Sequence, residues 1–277
     1  MRALIDNQDG SLVCELFGEG KLCICAHGFP DCERSFREQL NALIGAGMRV
    51  ALPSMRGYAP SGPSRSERYH AHALGRDLLA IADALSPDEP VVIVGHDWGA
   101  IAGYAAAALA PARIDRLVTM AVPHLRVAMP RWLSPRQIYR SRYIGFFQLR
   151  GVAERRLDAA YLEALWREWS PGYRLHESEQ QQVNRAVLAH PAAVLGYYRE
   201  LFRPDAVSRG LLFARTSVPA LYLHGADDGC IGVALTRDVE RGYTKGVARV
   251  VIDNAGHFVH LEQPVVVNRH LVEFLSA

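Results

Sequence analysis

Residues 91–110, VVIVGHDWGAIAGYAAAALA, constrain this chain more than any other stretch. A β-branched run with no polar alternation predicts a strand covered on both faces. A run of Gly, Ala and Ile predicts a helix of small residues, able to lie close against that strand. Only Gly95-His96-Asp97-Trp98-Gly99 separates the two, so the chain must reverse within a few residues. A buried strand running directly into a helix is half of a strand–helix–strand unit, and such units imply a parallel sheet.

The same alternation recurs on both sides. LCICA (22–26) reads as a buried strand followed by the turn HGFP, then a helix over about 36–44, a strand at RVALP (49–53) and a helix at ALGRDLLAIADAL (73–85). In that helix Leu74, Leu78, Ile81 and Leu85 share one face. IDRLVTMAV (114–122), VPALYLHG (218–225) and ARVVID (248–253) read as later strands, with helices expected at 233–241 and 264–275. From 125 to 215 strand signals vanish and aromatic and Arg-rich helical patterns replace them. The expected architecture is α/β: a mostly parallel central sheet with helices on both faces, a core of 1–124 and 216–277, and an inserted helical cap of 125–215.

Composition narrows the function. The 277 residues are 49% hydrophobic and 22% charged with a net charge of +2, which gives no field to gather nucleic acid or anionic lipid. No apolar run approaches the ~20 residues of a membrane span. MRALIDNQDG lacks the apolar core of a secretion signal, so a cytoplasmic protein starting at Met1 is expected. The five cysteines (14, 23, 25, 32 and 230) lack zinc-like spacing and read as apolar filler, with no metal, disulfide or cofactor expected.

Chemistry concentrates at Asp97. Small residues flank it at the spacing of a nucleophile elbow, the sharp strand-to-helix turn that lifts one side chain above a sheet. The free N–H groups of the following helix favour negative charge there. Capping alone would suit an isolated Asp, but the strand before, the glycines around and the small-residue helix behind favour a nucleophile. An ester formed on a carboxylate needs a His–acid pair to activate water. His257, in AGHF after the last strand, is the expected base. GADDG supplies the acid, Asp228 in preference to Asp227, and no carboxylate follows the sixth strand at Met120–Pro123 to compete. Backbone N–H groups of Phe29 and Trp98 are the expected oxyanion donors, and His27 reads as a structural loop histidine.

HGFP, GHDWGA, GADDG and AGHF in this order, with a cap between the second and third, resemble the epoxide hydrolases of the α/β-hydrolase superfamily over nearly the whole chain. The resemblance implies an α/β-hydrolase fold and two cap tyrosines that donate to the epoxide oxygen. RSRYIGFFQLRGVAE points to Tyr143 and AVLGYYREL to Tyr198, with Tyr139 and Tyr197 the neighbouring alternatives. It also implies a small-molecule epoxide as the only partner beyond a monomer or homodimer. Haloalkane dehalogenases resemble the core down to D-W-G and use the Trp after the nucleophile on halide. Phe29 stands where their second donor often lies, leaving Trp132, Trp166 or Trp169 to supply an indole. A non-catalytic receptor on the same fold is the third reading.

Overall fold

The computed structural model describes residues 1–277. It opens with an antiparallel hairpin, β1 (Arg2–Asn7) and β2 (Gly10–Phe17), that lies ahead of the first strand expected from sequence. The remaining strands are β3 (Lys21–Ala26), β4 (Met48–Pro53), β5 (Val91–His96), β6 (Ile114–Met120), β7 (Ala220–Gly225) and β8 (Val247–Ile252). They form one eight-stranded sheet of order β1-β2-β4-β3-β5-β6-β7-β8, antiparallel only in the pairs that involve β2.

Helices α1 (Leu40–Gly45), α2 (Ala71–Leu85) and α3 (Trp98–Leu109) connect the first strands. Between β6 and β7 the chain makes eight consecutive helices and no strand. These are α4 (Leu125–Trp132), α5 (Pro135–Arg140), α6 (Arg142–Phe146), α7 (Val152–Arg156), α8 (Ala159–Trp169), α9 (Glu177–Leu188), α10 (Pro191–Glu200) and α11 (Ala206–Phe213). After β8 come α12 (Val259–Glu262) and α13 (Pro264–Ser276).

Two expected helices are broken. The segment 36–44 divides into a 3-10 turn at Glu33–Phe36 and α1, and 233–241 becomes two 3-10 turns, Val233–Thr236 and Val239–Gly242. In the second case Arg237 turns extended at ψ 138° and ends the first turn, and Asp238 follows at φ 58°, a left-handed backbone that keeps the two turns from joining into one helix.

The strand order reverses direction between β3 and β5, whose other neighbours are β4 and β6. In an open parallel sheet the crevice at the carboxyl ends of such a pair receives ligand, because the two following connections leave in opposite directions. Phe29 follows β3 and Asp97 follows β5, so both candidate residues stand at that crevice. The middle of the sheet is dry on both faces: every residue of β5 and β7 is buried.

A buried ionic knot holds the loop after β4. Arg56 donates from Nε and Nη2 to the two oxygens of Asp77 on α2, each at 2.6 Å, and from Nη1 to Asp9 at 2.7 Å. Asn7 of β1 donates to Asp77 at 2.5 Å. The knot joins hairpin, loop and α2 through one guanidinium. Asp77→Ala leaves that cation buried with one of its two carboxylates removed, an expected loss of about 3–5 kcal/mol measured as a lower urea midpoint at unchanged m-value.

Candidate active site

The turn after β5 is strained in the way the sequence predicts. Asp97 sits at φ 51° and ψ −117°, outside the regions open to residues with a Cβ. The close approach that forces this geometry also dictates Gly99, where a Cβ would overlap the Ala26 carbonyl at the end of β3. On the opposite wall, a Cβ on Gly28 would overlap the Asp97 carboxylate. Backbone therefore reaches the carboxylate directly, and the Phe29 N–H donates to its Oδ1 at 2.9 Å. Trp98 N–H makes no such bond in this arrangement; the Asp97 carbonyl instead accepts from Ala100 and Ile101 as α3 begins.

His257 lies in the loop between β8 and α12, wholly buried. Its Nδ1 donates to Asp228 Oδ2 at 2.9 Å, and its Nε2 stands 3.6 Å from Asp97 Oδ2. The first distance is a hydrogen bond and the second is an ion pair too long to be one, so Nε2 is open to a water or a substrate oxygen. Asp228 Oδ1 accepts the N–H groups of Cys230 and Ile231, both at 2.7 Å. Asp227, one residue earlier, is exposed and does not approach His257. The structure thus brings Asp97, His257 and Asp228 into one line.

Charge follows from the same distances. Burial works against ionising Asp97, but the adjacent His257, His96 and the Phe29 N–H outweigh it and hold the carboxyl below its ordinary range. Burial likewise disfavours an imidazolium at His257. The Asp228 charge and hydrogen bond, reinforced by Asp97, overcome that and raise it to about 10. Asp228 is lowered for the reciprocal reason, despite its own burial. These shifts favour an imidazolium at His257 between two carboxylates.

Two tyrosines from the helical insertion close over Asp97. Tyr143 (α6) and Tyr198 (α10) meet edge to face with ring centroids 5.6 Å apart. Tyr198 also packs on Phe29 at 5.4 Å and Trp98 at 5.2 Å. The Tyr143 hydroxyl lies 3.4 Å from Cys230 Sγ, whereas the Tyr198 hydroxyl has no partner in the protein. Burial, joined by the Asp97 charge, lifts both phenols well above their usual range, so both remain protonated donors. The alternatives stand apart: Tyr139 is 66% exposed, and Tyr197 spends its hydroxyl on the Arg56 carbonyl at 2.7 Å.

Some neighbours carry no sequence signal for their place here. The Trp169 carbonyl accepts both Gly229 N–H and His257 N–H at 3.0 Å, pinning the Asp228 and His257 loops to the end of α8. Its indole packs 5.2 Å from His257, with the N–H unpartnered. Trp166 stacks on Phe258 and donates to the Pro30 carbonyl at 2.8 Å. Among many aromatics in 125–215, only packing against the core distinguishes these two.

A family model described as alpha/beta hydrolase fold matches residues 22–264. Epoxide hydrolase A of Mycobacterium tuberculosis is 30% identical, covering 91% of this chain and 89% of its own length. The AB hydrolase superfamily protein YfhM of Bacillus subtilis is 28% identical over 93% of this chain and 91% of its own. The crystal structure of epoxide hydrolase A from Mycobacterium thermoresistibile superposes with a TM-score of 0.86 at 27% identity, covering 100% of this chain and 98% of that one. With the sheet order, the strained turn at Asp97 and these similarities together, the chain belongs to the epoxide hydrolase family of the α/β-hydrolase superfamily.

Proposed function

We propose that the chain converts an epoxide and water to a vicinal diol through an ester on Asp97. The observation that carries this reading is a buried Asp97 carboxylate with the His257–Asp228 pair on one side and the phenols of Tyr143 and Tyr198 on the other. Asp97 attacks a ring carbon and the C–O bond breaks toward Tyr143 and Tyr198, one of which gives its proton to the departing oxygen and recovers one from the His257 imidazolium, leaving that ring neutral. His257, oriented by Asp228, then removes a proton from water, whose oxygen adds to the ester carbonyl. The Phe29 N–H, already on this carboxylate, stabilises the tetrahedral oxyanion, with Trp98 N–H as the second donor. Collapse expels the diol oxygen, which takes a proton from His257, and the Asp97 carboxyl proton then passes to His257, restoring carboxylate and imidazolium. The chemistry calls for no metal or cofactor.

Residues 125–215 act in this proposal as a cap on a core formed by 1–124 and 216–277. A cleft of about 630 Å³, lined by Tyr143, Phe146, Val152 and Leu165 together with the charged Arg142, Arg156 and Glu168, supports an approach for a substrate that is partly apolar. On this reading the enzyme works in the cytoplasm as a monomer or homodimer; no helix is long and apolar enough to cross a membrane.

One observation favours a second reading. The unpartnered Trp169 indole N–H beside His257 suits a leaving halide as well as an oxygen. Parallel assays on styrene oxide and 1,2-dibromoethane separate the two. Diol without bromide is the expected result. Bromide without diol would reassign the chain to carbon–halogen hydrolysis, and neither product across a broad epoxide panel would favour a binding protein.

A further inference from the structure

Four phenols meet near Asp97, and the reaction above uses two of them. Tyr197 is committed to the Arg56 carbonyl. The fourth, Tyr58, lies in the loop between β4 and α2; it is 1% exposed and its hydroxyl has no partner in the protein. Its ring stands edge-on to His27 at 4.8 Å, beside the Gly28–Phe29 backbone that reaches the nucleophile, and edge-on to Tyr197 at 5.8 Å.

The loop that carries Tyr58 is fixed from both sides. On the core side, Arg56 is held by Asp77 and Asp9, and the Met55 N–H donates to His27 Nε2 at 3.1 Å. On the cap side, Ala59 N–H donates to the Ala186 carbonyl at 3.0 Å, and Tyr197 reaches the Arg56 carbonyl. Neither the backbone nor the packed ring is at liberty to carry the hydroxyl to a protein acceptor. Burial keeps the phenol neutral, with Tyr197, Asp97 and Asp31 opposing ionisation further, so the group offers a hydrogen bond donor.

A buried donor left unpaired costs stability, and a fixed one is satisfied only by something that enters the site. We infer that Tyr58 is a specificity-determining residue that donates to an oxygen substituent carried next to the epoxide ring. The preferred substrates are therefore oxygen-functionalised epoxides, such as glycidyl ethers and epoxy alcohols, over hydrocarbon epoxides of the same shape. This rests on the epoxide reading. The ring oxygen is served by Tyr143 and Tyr198 from α6 and α10, whereas Tyr58 approaches from the core side of the seam, where a substituent on the reacting carbons would lie. A site with a dedicated donor discriminates against the analogue that leaves it unpaired.

Benzyl glycidyl ether and 1,2-epoxy-5-phenylpentane differ only by an ether oxygen in place of a methylene. Wild type is expected to favour the ether by about tenfold or more in kcat/KM, the scale of one hydrogen bond. Tyr58→Phe should bring that ratio to about one, mainly through KM for the ether, leaving the hydrocarbon within about twofold. Its melting temperature should not fall, because the group removed has no protein partner. An unchanged ratio overturns the inference. An equal loss on both probes also overturns it and assigns Tyr58 to the water or the ring oxygen. Titration with the two corresponding diols, followed by tryptophan fluorescence, reads the same preference without turnover. Absent hydrolysis of both epoxides then sinks the epoxide reading, whereas a diol preference independent of Tyr58 sinks this one.

Discussion

Asp97→Ala abolishes diol formation, with kcat/KM falling by about 10⁴-fold or more, the scale on which removal of a covalent nucleophile acts. In the proposed reaction the other groups of the site orient, donate hydrogen bonds or move protons, and none of them forms a bond to carbon. The Phe29 N–H loses the oxygen it meets at 2.9 Å, and His257 keeps Asp228. The variant should fold. At φ 51° and ψ −117° the wild-type residue stores strain of about 1–3 kcal/mol, which alanine retains and glycine relieves. Asp97→Gly is therefore as inactive as the alanine variant but melts higher. Activity retained in either variant would remove Asp97 from the chemistry. A large drop in melting temperature for both would make it a structural residue.

That strain is why the elbow is legible in the sequence. A turn tight enough to press α3 onto β3 leaves no room for side chains at Gly99, and such demands write themselves into sequence as fixed glycines at fixed spacing. Buried parallel strands are legible for a related reason: β5 and β7 are covered on both faces, so their residues are apolar without alternation. The β1–β2 hairpin was not. It lies at the sheet edge, Leu4 is 67% exposed, and little apolar periodicity marks it. The helix expected at 233–241 failed because composition does not reveal a left-handed residue such as Asp238.

The site divides along the same line. Asp97, Asp228 and His257 follow strands, and strand ends can be counted. Tyr58 and Trp169 owe their places to packing between the helical insertion and the core. An aromatic at that seam looks like any other in sequence. The choice between Tyr143 and Tyr139, or Tyr198 and Tyr197, is one of helical rotation, which only contacts such as the Tyr197–Arg56 hydrogen bond decide.

His257→Gln separates the two halves of the proposed reaction. In the resting site the imidazolium faces Asp97 across 3.6 Å and Asp228 across 2.9 Å, which raises it to about 10 in spite of its burial. A protonated ring cannot take a proton from water, so the base is silent while Asp97 is free. Esterification replaces one of the two anions with a neutral group, the His257 proton loses part of its stabilisation, and the base becomes available once the ester needs it. Ester formation requires only ionised Asp97, whose pKa is lowered, while ester hydrolysis requires neutral His257. Lowering the pH should therefore slow breakdown before formation and let the ester accumulate in wild type. His257→Gln accumulates it at every pH: one equivalent of substrate consumed in a burst, turnover reduced about 10²–10⁴-fold, and intact mass raised by one substrate molecule. Stability carries the same signature. A histidine raised from about 6.5 unfolded to about 10 folded stabilises the native state fully below the lower value, and loses that contribution as pH rises through the higher. The melting-temperature deficit of His257→Gln should thus be largest near neutral and acid pH and shrink toward pH 10. A variant that turns over slowly with no burst and no adduct would mean that water, activated by His257, attacks the substrate directly and that Asp97 never forms a bond to it.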